Sequence, residues 1–429
     1  MKQLFALVIS AALLAPAVRA DERDAVAISN NIQQRHSING VIIDPVFATP
    51  DGSEIIAYSR GGDAALWTGH YLAAESFRYA VTKSPDALAN VKRALAGIRL
   101  LIDVTGNKLL ARCAFPANWK YAQSVIAEER GHGVYTRVLN GETYVWIGET
   151  SRDQYSGVFF GLGVASGFVY DAEVQATIKD LGTRLLDYLT NHHWFVTMPD
   201  GSISTTFAAR PEQRLSFLAV GRSVNNQIFA SEYNVHRILY SHFTSAGIAL
   251  DVLNDHDSYF KFNLDTINLF HLIRTEGNST YRGRYLDAYT LLRRTTDDHG
   301  NAHFNMIDRA LRGPDARRDE ATRLMLNDWL KRPRRDTWLD WRKTGRFALC
   351  GADKACAPLP TVDRITTDFL WQRSPFLLWG GGYGKTEGAG IDYILPYWMA
   401  RYYAVIQEYQ TPSRATLPEQ TGLPVRPGV

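Results

Sequence analysis

The sequence predicts an all-α domain of paired helices in two concentric layers, with one small β-hairpin inserted. Three observations carry this. Segments with apolar residues at helical spacing follow one another in pairs, one member rich in aromatic and small residues, its partner amphipathic. Two of the aromatic-rich members echo each other: Trp67-Thr68-Gly69-His70-Tyr71-Leu72-Ala73 matches Tyr155-Ser156-Gly157-Val158-Phe159-Phe160-Gly161 as aromatic, hydroxyl, glycine, any, aromatic, large apolar, small. Strand signals are few.

The first pair opens after Asp63, with ALWTGHYLAAESFRYAVT followed by SPDALANVKRALAGIRLLIDVTG. Ser84-Pro85 suits a cap and first turn, and Gly106 suits a stop. The second pair is DQYSGVFFGLGVASGFV and AEVQATIKDLGTRLLDYLTNH. Further helical stretches are expected near 216–252, 258–275, 278–296, 316–331 and 394–408. In the echoed segments, small residues would let neighbouring helices approach closely. Between the two pairs, VYTRVL-NG-ETYVWI (134–147) alternates on both arms around Asn140-Gly141, the signature of a two-residue hairpin turn. Residues 331–346, KRPRRDTWLDWRKTGR, hold seven positive and two acidic residues and read as a solvated basic surface run.

With 429 residues, 45% of them apolar, the chain has material for a large core. Its formal net charge of +3 is too weak a bias for nucleic acid as the main partner. Residues 1–20 read as a signal peptide: Lys2, an apolar run from Leu4 to Leu14, then Val18-Arg19-Ala20, with cleavage expected before Asp21. No later segment reaches the ~18 apolar residues of a membrane span. Export to the periplasm or beyond is therefore expected, with a single domain over 21–412 and an extended tail over 413–429. Of three cysteines, Cys350 and Cys356 are placed to close a short loop by disulfide in an oxidising compartment, leaving Cys113 as a small buried residue.

Residues 379–390, WGGGYGKTEGAG, carry a GKT that invites a phosphate-loop reading. A phosphate loop needs glycine five residues before its GK, and that position is Trp379. The preceding DFLWQRSPFLLW holds a proline and no β-branched run, and an exported chain meets little ATP. The stretch reads instead as a ligand-facing connection between helices, its glycines supplying unusual backbone angles.

Layered helical hairpins, an export signal and the stretches GGDAALWTGHYLAA (61–74) and TSRDQYSGVFFGLG (150–163) together resemble the six-hairpin (α/α) toroid superfamily, which includes unsaturated glucuronyl hydrolases, other glycoside hydrolases and polysaccharide lyases. The resemblance implies a toroid of about six helical hairpins over most of the mature chain. It also implies an oligo- or polysaccharide substrate, bound where the inner helices start.

Asp63 and Asp153 each stand at or near such a start. A carboxylate there serves either as an N-cap or as a catalytic group. Around Asp153, the run Ser151-Arg152-Asp153-Gln154-Tyr155 holds more polar function than one cap requires. Asp392, in GAGIDYILPYWMARYY, is the third catalytic candidate. Trp67, Arg152, Gln154 and Tyr155 beside the first two carboxylates, and Trp371, Arg373, Trp379, Tyr383 and Glu387 near the glycine-rich stretch, offer stacking and polar contacts to a saccharide. Glycoside cleavage needs one carboxyl to protonate the leaving oxygen and a second to activate water or attack carbon. A lyase would instead draw its base from Tyr233 and His236, which share a helix face at i,i+3. A third reading is a glycan-binding or envelope protein without chemistry. No histidine or cysteine set has metal-ligand spacing, so neither metal nor cofactor is expected, and the oligomeric state is left open.

Overall fold

The computed structural model describes residues 20–253, 259–367 and 369–407. Most of the expected signal peptide, the expected tail and Asp368 lie outside these residues. The described residues are 58% helical, with 14% strand in four small sheets. The all-α expectation is corrected accordingly: the fold is mostly helical with a real strand component.

The helices are α1 (Glu22–Asn31), α2 (Ala64–Thr82), α3 (Pro85–Asp103), α4 (Ala122–Glu129), α5 (Arg152–Phe168), α6 (Ala172–Asn191), α7 (Pro211–Val224), α8 (Asn226–Tyr240), α9 (Thr244–Leu253), α10 (Phe260–Thr275), α11 (Thr280–Thr296), α12 (Ala302–Arg312), α13 (Ala316–Trp329) and α14 (Ile391–Tyr402). The strands are β1 (Ser37–Ile38), β2 (Val41–Ile42), β3 (Asp44–Phe47), β4 (Ile55–Ser59), β5 (Cys113–Pro116), β6 (Val134–Leu139), β7 (Glu142–Ile147), β8 (Phe195–Thr197), β9 (Ile203–Thr206), β10 (Arg335–Asp340) and β11 (Trp379–Glu387).

Local signals placed the first pair. Ser84 accepts a hydrogen bond from Asp86 N–H, Pro85 starts α3, and Gly106 adopts φ +78° just beyond its end. Helix α2 packs on α5, α5 on α7, α7 on α10, α10 on α12, α12 on α14, and α14 back on α2. Helices α3, α6, α8, α11 and α13 each pack behind one of these. The members of the first set are buried nearly all round: every residue of α2 from Ala64 to Arg78 is buried.

The echoed glycines meet one another. A Cβ on Gly69 would lie 1.9 Å from the Gly157 carbonyl oxygen, and one on Gly161 would lie 2.4 Å from the Gly69 carbonyl oxygen. Only glycine permits this backbone approach between α2 and α5.

The expected hairpin is β6–β7, its turn residues Asn140 and Gly141 at φ +52° and +83°. That pattern is what a type I′ turn requires. Strand β5 joins it in the order β5-β7-β6. A second sheet runs β10-β11-β3-β4. Here one expectation fails: residues 379–387 form strand β11 rather than a connecting loop. The basic run, largely exposed, contributes strand β10. Glycine serves close pairing: a Cβ on Gly381 would meet the Thr337 carbonyl oxygen at 2.1 Å. The stretch expected at 216–252 is broken into α7, α8 and α9, and the last helix begins at Ile391 and ends at Tyr402. Helices α1, α4 and α12 were not anticipated.

Cys350 and Cys356 are disulfide-bonded, with Cα atoms 4.7 Å apart, and Cys113 is buried and free. Among the described residues no helix is long and apolar enough to cross a membrane.

Candidate active site

The start of α2 would ordinarily use a side-chain cap. The Ala65 N–H donates instead to the Arg112 carbonyl at 2.9 Å, and the Gly62 N–H to Glu129 Oε1 at 2.7 Å. Asp63 occupies the cap position but makes no capping hydrogen bond. Its carboxylate receives two amides: Gln154 Nε2 donates to Oδ1 at 3.2 Å and Gln372 Nε2 to Oδ2 at 3.1 Å.

At the start of α5, Gln154 Oε1 accepts from the Ser151 backbone N–H at 2.8 Å and from Ser151 Oγ at 2.7 Å. Gln154 Nε2 also reaches the Gly62 carbonyl at 3.0 Å, lashing the two helix starts together. Ser151 and Gln154 therefore close this helix end, which leaves Asp153 free of that duty. Its carboxyl is pushed up to about 6, by burial first and then by the charge of Asp63, against the opposing pull of Arg152 and Arg112.

These two carboxyls share a cavity of about 200 Å³ with Trp67, Phe260, Asn263, Trp371 and Gln372. Trp371 forms part of an aromatic floor, its ring centroid 5.4 Å from that of Phe369 and 4.7 Å from that of His303. Asn263 Nδ2 donates to His70 Nε2 at 3.1 Å, while His70 Nδ1–H donates to the Leu66 carbonyl at 3.0 Å. Burial pushes His70 down to about 4, so it stays a neutral acceptor and fixes the Asn263 amide. Asn263 Oδ1 is buried and has no hydrogen-bond partner among the described residues. Flat rings beside a few convergent amides and carboxyls form a pocket able to stack a ring, bind hydroxyls and transfer a proton.

Asp392 belongs to an adjoining cavity, lined also by Arg60, Arg332 and Arg334, with Trp67 and Gln372 in the wall common to both. Asp392 Oδ2 accepts from the Leu370 N–H at 3.0 Å, which anchors the segment carrying Trp371 and Gln372. Its carboxyl is raised by burial, opposed by Arg332.

The other expected residues are dispersed. Tyr155 is fully buried, its hydroxyl accepting from the Leu110 N–H at 3.3 Å. Arg152 stands beside the pair, and its charge also acts on buried Asp265 of α10. Arg373 is exposed. Glu387 accepts from Asn31 Nδ2 at 2.7 Å and faces His36, in a structural network. Trp379 lies under the Arg342 guanidinium, and Tyr383 is 92% exposed on β11. The lyase pair is not brought to the cavity. Tyr233 donates to Glu276 Oε2 at 2.5 Å, and His236 bonds the Glu232 carbonyl of its own helix and packs against Trp194.

Gln372 and Asn263 are cavity residues that sequence reasoning did not select. No local signal sets Asn263 apart from Asp265, Thr266 and Asn268 in FKFNLDTINLF. No protein-family model matches this chain, and no curated protein matches it.

Proposed function

We propose that this chain is an exported carbohydrate-active enzyme that hydrolyses a glycosidic bond with the Asp63–Asp153 pair, on an (α/α) toroid. The closed cycle of packing through α2, α5, α7, α10, α12 and α14, backed in turn by α3, α6, α8, α11, α13 and α1, supports the toroid. The disulfide supports an oxidising compartment.

One observation carries the chemistry: two carboxyls share an aromatic-lined cavity but have opposite surroundings. Asp63 receives amide hydrogen bonds on both oxygens, which favours its ionised form. Asp153 is held up near 6, which keeps a proton available in mildly acidic solution. Asp153 then protonates the glycosidic oxygen as the bond to the anomeric carbon breaks. Asp63 acts on that carbon directly or through a water, and the anomer of the product distinguishes the two routes.

The test is release of reducing ends from a panel of neutral and acidic oligosaccharides, with ultraviolet absorbance of an unsaturated uronate product followed in parallel. Reducing-end release that disappears in both Asp63→Asn and Asp153→Asn supports the hydrolase. Unsaturated product replaces it with a lyase, and binding without turnover replaces it with a non-catalytic glycan receptor.

A further inference from the structure

Charge is spread over the outer helices with one exception. Helix α3 exposes Asp86 and Arg93, α6 exposes Glu173 and Lys179, α11 exposes Asp287 and Arg294, and α13 exposes Arg317 and Glu320. Helix α8 exposes Asn226, Gln227, Ile228, Ser231, Asn234, Val235, Ile238 and Leu239, without a charge among them. Its Glu232 and Arg237 are turned partly inward, Arg237 bonding Glu276 Oε1 at 2.6 Å. Helix α9 likewise exposes Ala246, Leu250 and Leu253 and no charge.

The apolar surface is concentrated accordingly. Of eighteen large exposed apolar side chains among the described residues, seven lie on α8, α9 and the turn between them. Leu250 is 67% exposed, Leu253 80%, and Ile228, Ile238 and Phe243 57% each. The short turn Ser241–Phe243 joins α8 directly to α9 and contacts both, so their exposed sides adjoin. A monomer rarely presents such a run, and its usual meaning is a contact surface.

We propose that the α8–α9 face is the interface through which two copies of this chain associate. An isologous contact sets a patch against itself, so a patch of one charge would repel its copy, whereas an uncharged one is self-complementary. The exposed area of these side chains is on the order of the ~800 Å² that each partner gives to a standard interface. A bilayer is the poorer fit, because surface-lying helices carry Lys and Arg on the polar flank of the apolar stripe. Helices α8 and α9 expose neither.

The test is sedimentation velocity on the purified chain across a concentration series, with Ile238→Glu and Leu250→Glu as variants. A dimer in the wild type, and monomers in whichever variant keeps the wild-type circular dichroism and melting temperature, is the expected result. A wild type that stays monomeric at every concentration overturns the proposal, as does a dimer that persists in both folded variants. Co-sedimentation of monomeric wild type with zwitterionic or anionic phospholipid vesicles overturns it in favour of a membrane. None of these readouts depends on the glycosidase assay.

Discussion

Gln372 Nε2 donates to Asp63 Oδ2 at 3.1 Å, joining a segment near the end of the chain to the first turn of α2. Gln154 serves the other oxygen and is itself locked by Ser151, so the adjustable member of the clamp is Gln372. The charged groups facing the pair include Arg152, Arg112 and, across Gly62, Glu129. Gln372, like Gln154, donates to a charged carboxylate and so favours that form of Asp63.

Gln372→Leu should raise the proton affinity of Asp63, because a hydrogen bond to the charged form is lost. Carboxyl carbon NMR of aspartate-labelled protein reads this without a substrate. The Asp63 resonance should titrate at higher pH in the variant than in the wild type. An unchanged titration would show that Gln372 only fills space.

The legible parts of this fold are those whose causes are local. Asn140-Gly141 names its turn, Ser84-Pro85 names a helix start, and Cys350 and Cys356 lie close enough in sequence for a disulfide. Strand β11 was illegible because WGGGYGKTE has no alternation: its pairing depends on how closely β10 approaches, which Gly381 permits from another part of the chain. The cavity splits in the same way. Asp63 and Asp153 were visible as carboxyls at helix starts, whereas Gln372 and Asn263 join them only through packing. Asp392 carried the same local signal, and the fold puts it on the far side of the wall formed by Trp67 and Gln372.

Gly69→Ala should be severely destabilising. The added methyl would sit 1.9 Å from the Gly157 carbonyl oxygen, so the obstruction is backbone and no rotamer relieves it. Forcing α2 and α5 apart should cost at least the ~1–3 kcal/mol typical of overpacking. Urea unfolding measures it. A change below ~0.5 kcal/mol, the range of neutral surface substitutions, would mean that the helices do not pack this closely.

His36 is fully buried between Asp44 Oδ1 at 3.2 Å and Glu387 Oε1 at 3.5 Å, tying the end of α1 to the β10-β11-β3-β4 sheet. Burial alone would depress the ring, but hydrogen bonds and charge from the two carboxylates outweigh it, and its proton affinity rises above the usual value. Burial would likewise raise Glu387, yet the bonds from His36 and Asn31 hold it down at about 2. A raised histidine stabilises the fold fully below ~6.5 and loses that contribution as pH climbs through its folded value. A lowered glutamate stabilises above ~4.3 and loses its contribution toward pH 2. The network should therefore be strongest near pH 5–6. The stability gap between wild type and His36→Asn, measured by urea unfolding, should narrow from pH 6 to pH 8.5. A gap independent of pH would mean that the ring is neutral throughout.

Asp153→Asn should separate stability from turnover and move them in opposite directions. The folded carboxyl sits at about 6 against ~3.9 for a free aspartate, so the folded state holds the proton more tightly than the unfolded one. Stability linked to that proton is present at low pH and is lost as pH rises through about 6. Above that pH the wild type bears an ionised carboxylate beside Asp63 that the amide variant lacks. Because Asp153 keeps some contact with solvent, the relief is less than full burial would give, about 1–2 kcal/mol at pH 8 and near zero at pH 4. The helix end is not weakened, since Ser151 and Gln154 close it. Turnover of the responsive saccharide should nonetheless fall by ~100-fold or more, the usual scale for losing a positioned acid. Unfolding of wild type and variant at both pH values, alongside the reducing-end assay, checks each half. A variant that is no more stable at pH 8 than the wild type would place Asp153 in solvent rather than in the cavity. One that keeps near-normal turnover would remove it from the mechanism.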